Sequence, residues 1–181
     1  MLQKIILTAA MLLALAMPCS ARNLVYVDTM NTENPGFETP IYLDTDSIRW
    51  AEYDSVENHG FIFRVFTYPT SVARNSMLTQ MVEMDDLFPT LFGKWTYSAH
   101  IYEIRIDTKP ISMREITLEF YDSEDTLLKA LRISNAQYAP VRSEIGNQVL
   151  HQVAEYIEKN LDYITTLPWY SYDEDAYHPM R

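Results

Sequence analysis

The sequence predicts an α+β domain: an antiparallel meander of about five or six strands with a long C-terminal helix packed on one face. Three observations predict it. Two-residue alternation of apolar and polar side chains recurs in runs between Asn23 and Ile133, punctuated by turn-forming residues. The later runs are joined by short turns, which only antiparallel neighbours allow. After Pro140 the apolar period lengthens to three to five residues, and a helix that follows a one-faced sheet has that face to cover.

Asn23–Asp28 is the first strand, with Leu24, Tyr26 and Asp28 alternating against Val25 and Val27. A loop rich in Asn, Pro and Gly follows. Ile41–Trp50 reads as two short strands around an Asx-type turn at Asp44–Ser47. Glu57–Gly60 has hairpin chemistry and leads into Phe61–Tyr68, whose β-branched and aromatic content marks a buried strand. Met77–Phe88 admits either a strand or a short amphipathic helix: Met77, Met81 and Met84 fit a helical face.

Trp95–Asp107 returns to strand, with His100, Tyr102, Ile104 and Ile106 on one face. Asp107–Pro110 turns the chain. Met113–Tyr121 places Arg114, Ile116, Leu118 and Phe120 on one face and Glu115, Thr117, Glu119 and Tyr121 on the other. After the Asp122–Asp125 turn, Leu127, Leu131 and Ile133 share a face with Lys129. One side of this meander is expected to be solvated. The helix is expected from Glu144 to about Asn160 or beyond, with Ser143 as N-cap. Its stripe is Ile145, Val149, Val153, Tyr156, Leu161 and Ile164, widened by Leu150.

Residues 1–21 read as a secretory signal. Lys4 gives a positive start, Ile5–Met17 is an apolar run too short to span a bilayer permanently, and Pro18 breaks it. Cys19 and Ala21 then put small residues at the −3 and −1 positions of a cleavage site after Ala21. A buried N-terminal helix of a cytosolic chain is one alternative. Lipid attachment at Cys19 is another, although Pro18 stands where Gly, Ala or Ser normally precedes such a cysteine. Residues 22–167 are then a single sheet-plus-helix domain, and 168–181 an acidic, aromatic tail expected to be mobile.

Cys19 is the only cysteine, so the exported part has neither disulfide nor thiol chemistry. The full chain has 14 Lys and Arg against 25 Asp and Glu; losing Lys4 with the signal leaves 13 against 25, a net charge of −12. That balance argues against nucleic acid and anionic membrane surfaces. With no second apolar run of spanning length, no stable membrane insertion is expected after signal removal.

Four segments together resemble the surface-adhesin protein E-like family of secreted Gram-negative bacterial proteins. They are YLDTDSIR (Tyr42–Arg49), YEIRIDTK (Tyr102–Lys109), LEFYDSEDTLL (Leu118–Leu128) and YAPVRSEIGNQVLHQVAEYI (Tyr138–Ile157). Their order and spacing cover most of the exported chain. The resemblance implies an antiparallel sheet with the C-terminal helix on its concave face. It also implies adhesin-like binding of host matrix and plasma proteins, although many relatives have no assigned role. The family ties strand to helix with a disulfide. Here Thr108 follows Asp107 and Ala154–Tyr156 holds no cysteine, so packing alone must hold the helix.

The residues offer little for catalysis. Asp44–Ser47 looks like a metal- or nucleotide-binding DxD, but Asp and Ser are favoured at turns for local hydrogen bonding. His59, His100, His151 and His178 lack the spacing of a helical zinc site. His100 reads as a hydrogen-bonded core or sheet-face residue and His151 as exposed. Glu115 and Glu119, on one strand face, pose as a carboxylate pair that strand surfaces carry routinely. The acidic runs Glu83–Asp86 and Asp173–Asp175 serve solubility, with loose calcium binding as the alternative. No catalytic residue, cofactor site or metal site is assigned. Thirteen tyrosines and three tryptophans are many for this length, and Trp169, Tyr170, Tyr172 and Tyr177 fall outside the patterned fold. Those four are the candidate partner-binding residues.

The expectation is an exported, non-enzymatic interaction protein, adhesin-like, acting at the periplasm or cell surface of a Gram-negative bacterium. Its partner is a protein, and a homodimer stays open. The alternative is a periplasmic carrier holding a small ligand between sheet and C-terminal helix.

Overall fold

The computed structural model describes residues 22–51, 60–84, 93–106, 108–133 and 136–170. Six strands succeed one another in meander order, each antiparallel to its neighbour: β1 (Leu24–Met30), β2 (Thr39–Trp50), β3 (Gly60–Thr67), β4 (Tyr97–Arg105), β5 (Ser112–Tyr121) and β6 (Leu127–Arg132). A two-residue strand, β7 (Ala139–Pro140), pairs with the start of β5. Helix α1 (Ser71–Met84) connects β3 to β4, and α2 (Glu144–Ile164) follows β7. The class is α+β, and every residue of the central strand β3 is buried.

Helix α2 seals the main core. Val149, Val153 and Ile164 are buried against Leu43, Phe63 and Val65, with Ile145, Tyr156 and Ile157 packed alongside. It lies over β1 and β2, where the Gln152 amide donates to the Tyr26 carbonyl at 3.1 Å. Ser143 caps the start: its hydroxyl accepts from the Gly146 N–H at 3.1 Å. Glycine suits position 146 because a Cβ there would lie 2.6 Å from a Val141 methyl and 2.7 Å from the cap oxygen.

Asn160 breaks the helix with φ −127° and ψ 18°, and its side chain donates to the Tyr156 carbonyl at 2.9 Å. The residue where the sequence places the helix end is therefore a kink, and a further short stretch continues to Ile164. Ile157 takes an inward position in step with Val149 and Val153, while Leu161, expected in the stripe and just beyond the break, is exposed.

Met77–Phe88, open to two readings in the sequence, is helical through Met84, and its last four residues lie outside the described set. Thr70 caps α1 through the Ala73 N–H at 3.2 Å. Leu78 is buried against Trp95 and Phe120, with Met77 and Met81 beside it. Both helices thus cover one face of the sheet, α2 over the first strands and α1 toward β5 and β6.

Three irregularities decide which side chains face which layer. Ile41–Trp50 is not two strands but part of one, β2, whose pairing with β3 is interrupted between Asp44 and Arg49. The Asx chemistry read from the sequence sits in that interruption: the Asp46 N–H donates to the Asp44 carboxylate at 3.2 Å and the Ser47 hydroxyl to the Asp44 carbonyl at 2.6 Å. On β5 the register slips at Ile116, because Ile101 faces Thr117 while Tyr102 faces Glu115. On β6 it slips at Leu128. A bulge places two successive residues against one partner and reverses the alternation beyond it. Glu115 therefore shares the helix-covered face with His100 and Leu118, and Glu119 the opposite face with Ala99 and Arg114. Leu127 likewise parts from Leu131: Leu127 packs by Phe66, Tyr97 and Tyr121, Leu131 by Trp95 and Phe120.

The sheet face away from the helices, expected to be solvated, buries Asp44, Arg64, Glu103 and Glu119. Burial pushes the Asp44 carboxyl above its ordinary value, against the pull of the Arg64 guanidinium. A raised folded-state value means that the native state binds the proton more tightly than the unfolded chain. Native stability then declines as pH rises from about 4, the unfolded aspartate value, through the folded one. Asp44→Asn removes that loss while keeping an acceptor oxygen. Urea midpoints of variant and parent should converge near pH 4 and separate in the variant's favour by pH 7; a pH-independent gap contradicts the assignment.

Candidate interaction site

A cleft of about 190 Å³ opens where α2 leans away from the β4–β5 end of the sheet. Phe61 and Ile104 form its floor, Ile106 and Ile111 one wall, and Leu150, Ala154 and Ile157 of α2 the other. Among the described residues Glu158 is the only ionisable side chain lining it. The opening follows from the position of the helix: α2 lies over β1 and β2, and the β4–β5 turn stands beyond them in the strand order. Ile106 is 46% exposed and Ile111 40%, a large apolar surface for a turn.

Of the four aromatic residues singled out in the tail, Trp169 and Tyr170 are described, and Tyr172 and Tyr177 lie outside the described residues. The Tyr170 N–H donates to the Trp50 carbonyl at 2.8 Å, and Tyr170 bridges to Ala51 in parallel register. Its ring packs against Ala51, Ile62, Ile101 and Ile116 on the far face of the sheet, where burial raises its hydroxyl pKa. Trp169 is 56% exposed. Its ring lies 6.5 Å from Trp50, which stacks on Phe61 at 4.0 Å. An aromatic row thus runs from Trp169 to the floor of the cleft.

No protein-family model, no curated protein and no solved structure matches this chain.

The isoleucine wall was missed in the sequence, although a signal was present. Two β-branched apolar residues flanking a Pro-containing turn have no sheet partner to pack on, and Ile106 was assigned to the strand face instead. Among the described residues no helix is long and apolar enough to cross a membrane, and no group of three His, Cys, Asp or Glu side chains could hold a metal ion. His59, His178 and the Asp173–Asp175 run lie outside the described residues. His151 is exposed beside Glu155 at 3.7 Å.

His100 is a sheet-face residue. It bonds Glu115 at 2.8 Å through Nδ1 and meets the Thr67 hydroxyl at 3.3 Å through Nε2. Its ring is parallel to that of Tyr102. Glu119 has a different environment: fully buried, 3.4 Å from the Arg64 guanidinium, and accepting from the Tyr121 hydroxyl at 2.7 Å. Glu103 is also fully buried, accepting from Arg114 Nε at 2.6 Å and from the Tyr138 hydroxyl. Each buried carboxylate is thereby paired and hydrogen-bonded, as burial of charge requires.

The two glutamates that looked equivalent in sequence should separate sharply on substitution. Glu119→Gln leaves the Arg64 charge without its carboxylate and should cost about 3–5 kcal/mol in urea unfolding. Glu115→Gln, at a pair whose side chains are 23% and 28% exposed, should cost less, about 1 kcal/mol. Equal costs would contradict the bulge at Ile116.

Proposed function

We propose that this chain is an exported, non-enzymatic interaction protein, adhesin-like in action, working at the periplasm or cell surface. It takes an apolar side chain of a protein partner into the cleft between α2 and the β4–β5 turn. The cleft is the observation that carries this reading. At about 190 Å³ it is below the roughly 300–1,000 Å³ of small-molecule pockets, yet it suits a single anchoring side chain of the kind that dominates binding energy. The exposed Ile106, Ile111 and Trp169 extend the apolar surface beyond it, and the four motifs that resemble the adhesin family favour a protein partner. The same cleft is the observation that favours the second reading, a carrier of a small apolar ligand between sheet and helix; its volume counts against a sizeable cargo.

The test is a binding screen of the purified chain against matrix, plasma and envelope proteins, repeated with Ile111→Ser. A saturable partner whose affinity falls about tenfold or more in the variant is expected. The absence of any saturable partner, or affinity indifferent to Ile111, overturns the proposal; release of a co-purified apolar molecule on unfolding would favour the carrier.

A further inference from the structure

We infer that a second pocket, on the far side of the domain's loops from the α2 cleft and sharing no residue with it, binds a neutral saccharide. It measures about 390 Å³ and lies between the β1–β2 loop and α1, within the roughly 300–1,000 Å³ typical of small-ligand sites. Its polar lining is Asn31, Asn34, Ser76 and Gln80, and its apolar lining Phe37, Met77 and Ala73. Among the described residues no ionisable side chain lines it, in a chain of net charge −11.

The walls are held in place before any ligand arrives. Within the loop the Asn34 N–H donates to the Asn31 carbonyl at 3.0 Å and the Phe37 N–H to the Asn34 carbonyl at 2.9 Å. Gly36 adopts φ 89°, a conformation that glycine alone adopts readily. Its N–H donates to the Glu38 carboxylate at 2.8 Å. Thr70, the cap of α1, fastens loop to helix: its N–H donates to the Glu38 carbonyl at 3.2 Å and its hydroxyl to the Gly36 carbonyl. A fixed pocket avoids the ordering cost that weakens binding at mobile loops.

The chemistry of the lining selects the ligand. The side chains of Asn31, Asn34, Ser76 and Gln80 line the pocket and make no hydrogen bond among the described residues. Each amide offers both donors and an acceptor, and so does a hydroxyl in smaller measure. Sugar hydroxyls need that mixture. Phe37, 37% exposed at the rim, offers a ring face of partial negative charge to the C–H groups of a pyranose. Among the described residues of the lining, a phosphate or carboxylate ligand would find no Lys or Arg and a cation no carboxylate.

Saturation-transfer NMR on the purified chain with maltotriose, lactose and tri-N-acetylchitotriose tests this directly. At least one sugar should show transfer to its ring C–H protons, with affinity falling about tenfold in Phe37→Ala, the loss of one aromatic contact. Gln80→Ala, on the exposed side of α1, provides a second readout if Phe37→Ala disturbs the loop, and should weaken binding similarly. Ile111→Ser should leave sugar binding unchanged. Absence of transfer from all three sugars, transfer indifferent to both pocket variants, or equally tight binding of glucuronate and glucose overturns the inference.

Discussion

The burial of one helical stripe organises this molecule. Val149, Val153 and Ile164 of α2 are buried against β2 and β3, and each contributes about 1.5–3 kcal/mol by leaving water. The chain has a single cysteine, Cys19, ahead of the first strand, so no disulfide joins helix to sheet. Orientation is set by packing, by the Ser143 cap and by the Gln152 bond to β1. The lean of α2 toward β1 and β2 follows from those contacts, and the cleft above Ile104 is the space that lean leaves.

The opposite face is built on different physics. Arg64 with Glu119 is an ion pair near full burial, Arg114 pairs from a partly exposed position with the fully buried Glu103, and tyrosine hydroxyls supply further hydrogen bonds. Arg22 adds a cation over the Phe66 ring at 4.6 Å while its guanidinium donates to the Tyr97 hydroxyl. Such pairs contribute little net stability, but a mispaired alternative strands a charge. The register of β3, β4 and β5 is thereby penalised against slippage, since a one-residue shift would move each charge to the apolar face beneath α2.

Much of this was legible in the residues. The meander order, the strand positions of β3, β4 and β5, the Ser143 cap and most of the α2 stripe follow from period and turn chemistry, which act locally. What escaped was set by partners distant in the chain. The bulges at Ile116 and Leu128 leave no mark in their own strands, since Glu115 and Glu119 keep perfect alternation in sequence and lose it only against β4. The Asp44–Ser47 segment shows the reverse: its Asx bonds were readable, but not that β2 continues through them. The helical identity of α1 depended on Leu78 meeting Trp95 and Phe120, contacts that no local pattern encodes. Of the candidate partner residues, Trp169 is exposed beside the aromatic row and Tyr170 is docked on the chain's own sheet. The cleft itself drew on Ile106 and Ile111, whose placement in a turn was visible and whose convergence with α2 was not.

Both proposed surfaces depend on α2 and α1 being integral to one cooperative body, because a helix that lifts freely erases the cleft. Native-state amide hydrogen exchange along α2 and β3, followed across low denaturant concentrations, measures this most directly. The account predicts that the Val149 and Val153 amides exchange only through the same global opening as Phe63 and Val65, with the same denaturant dependence. Exchange of the α2 amides while β3 stays protected would show a helix that merely rests on the sheet, and would contradict the account at its root.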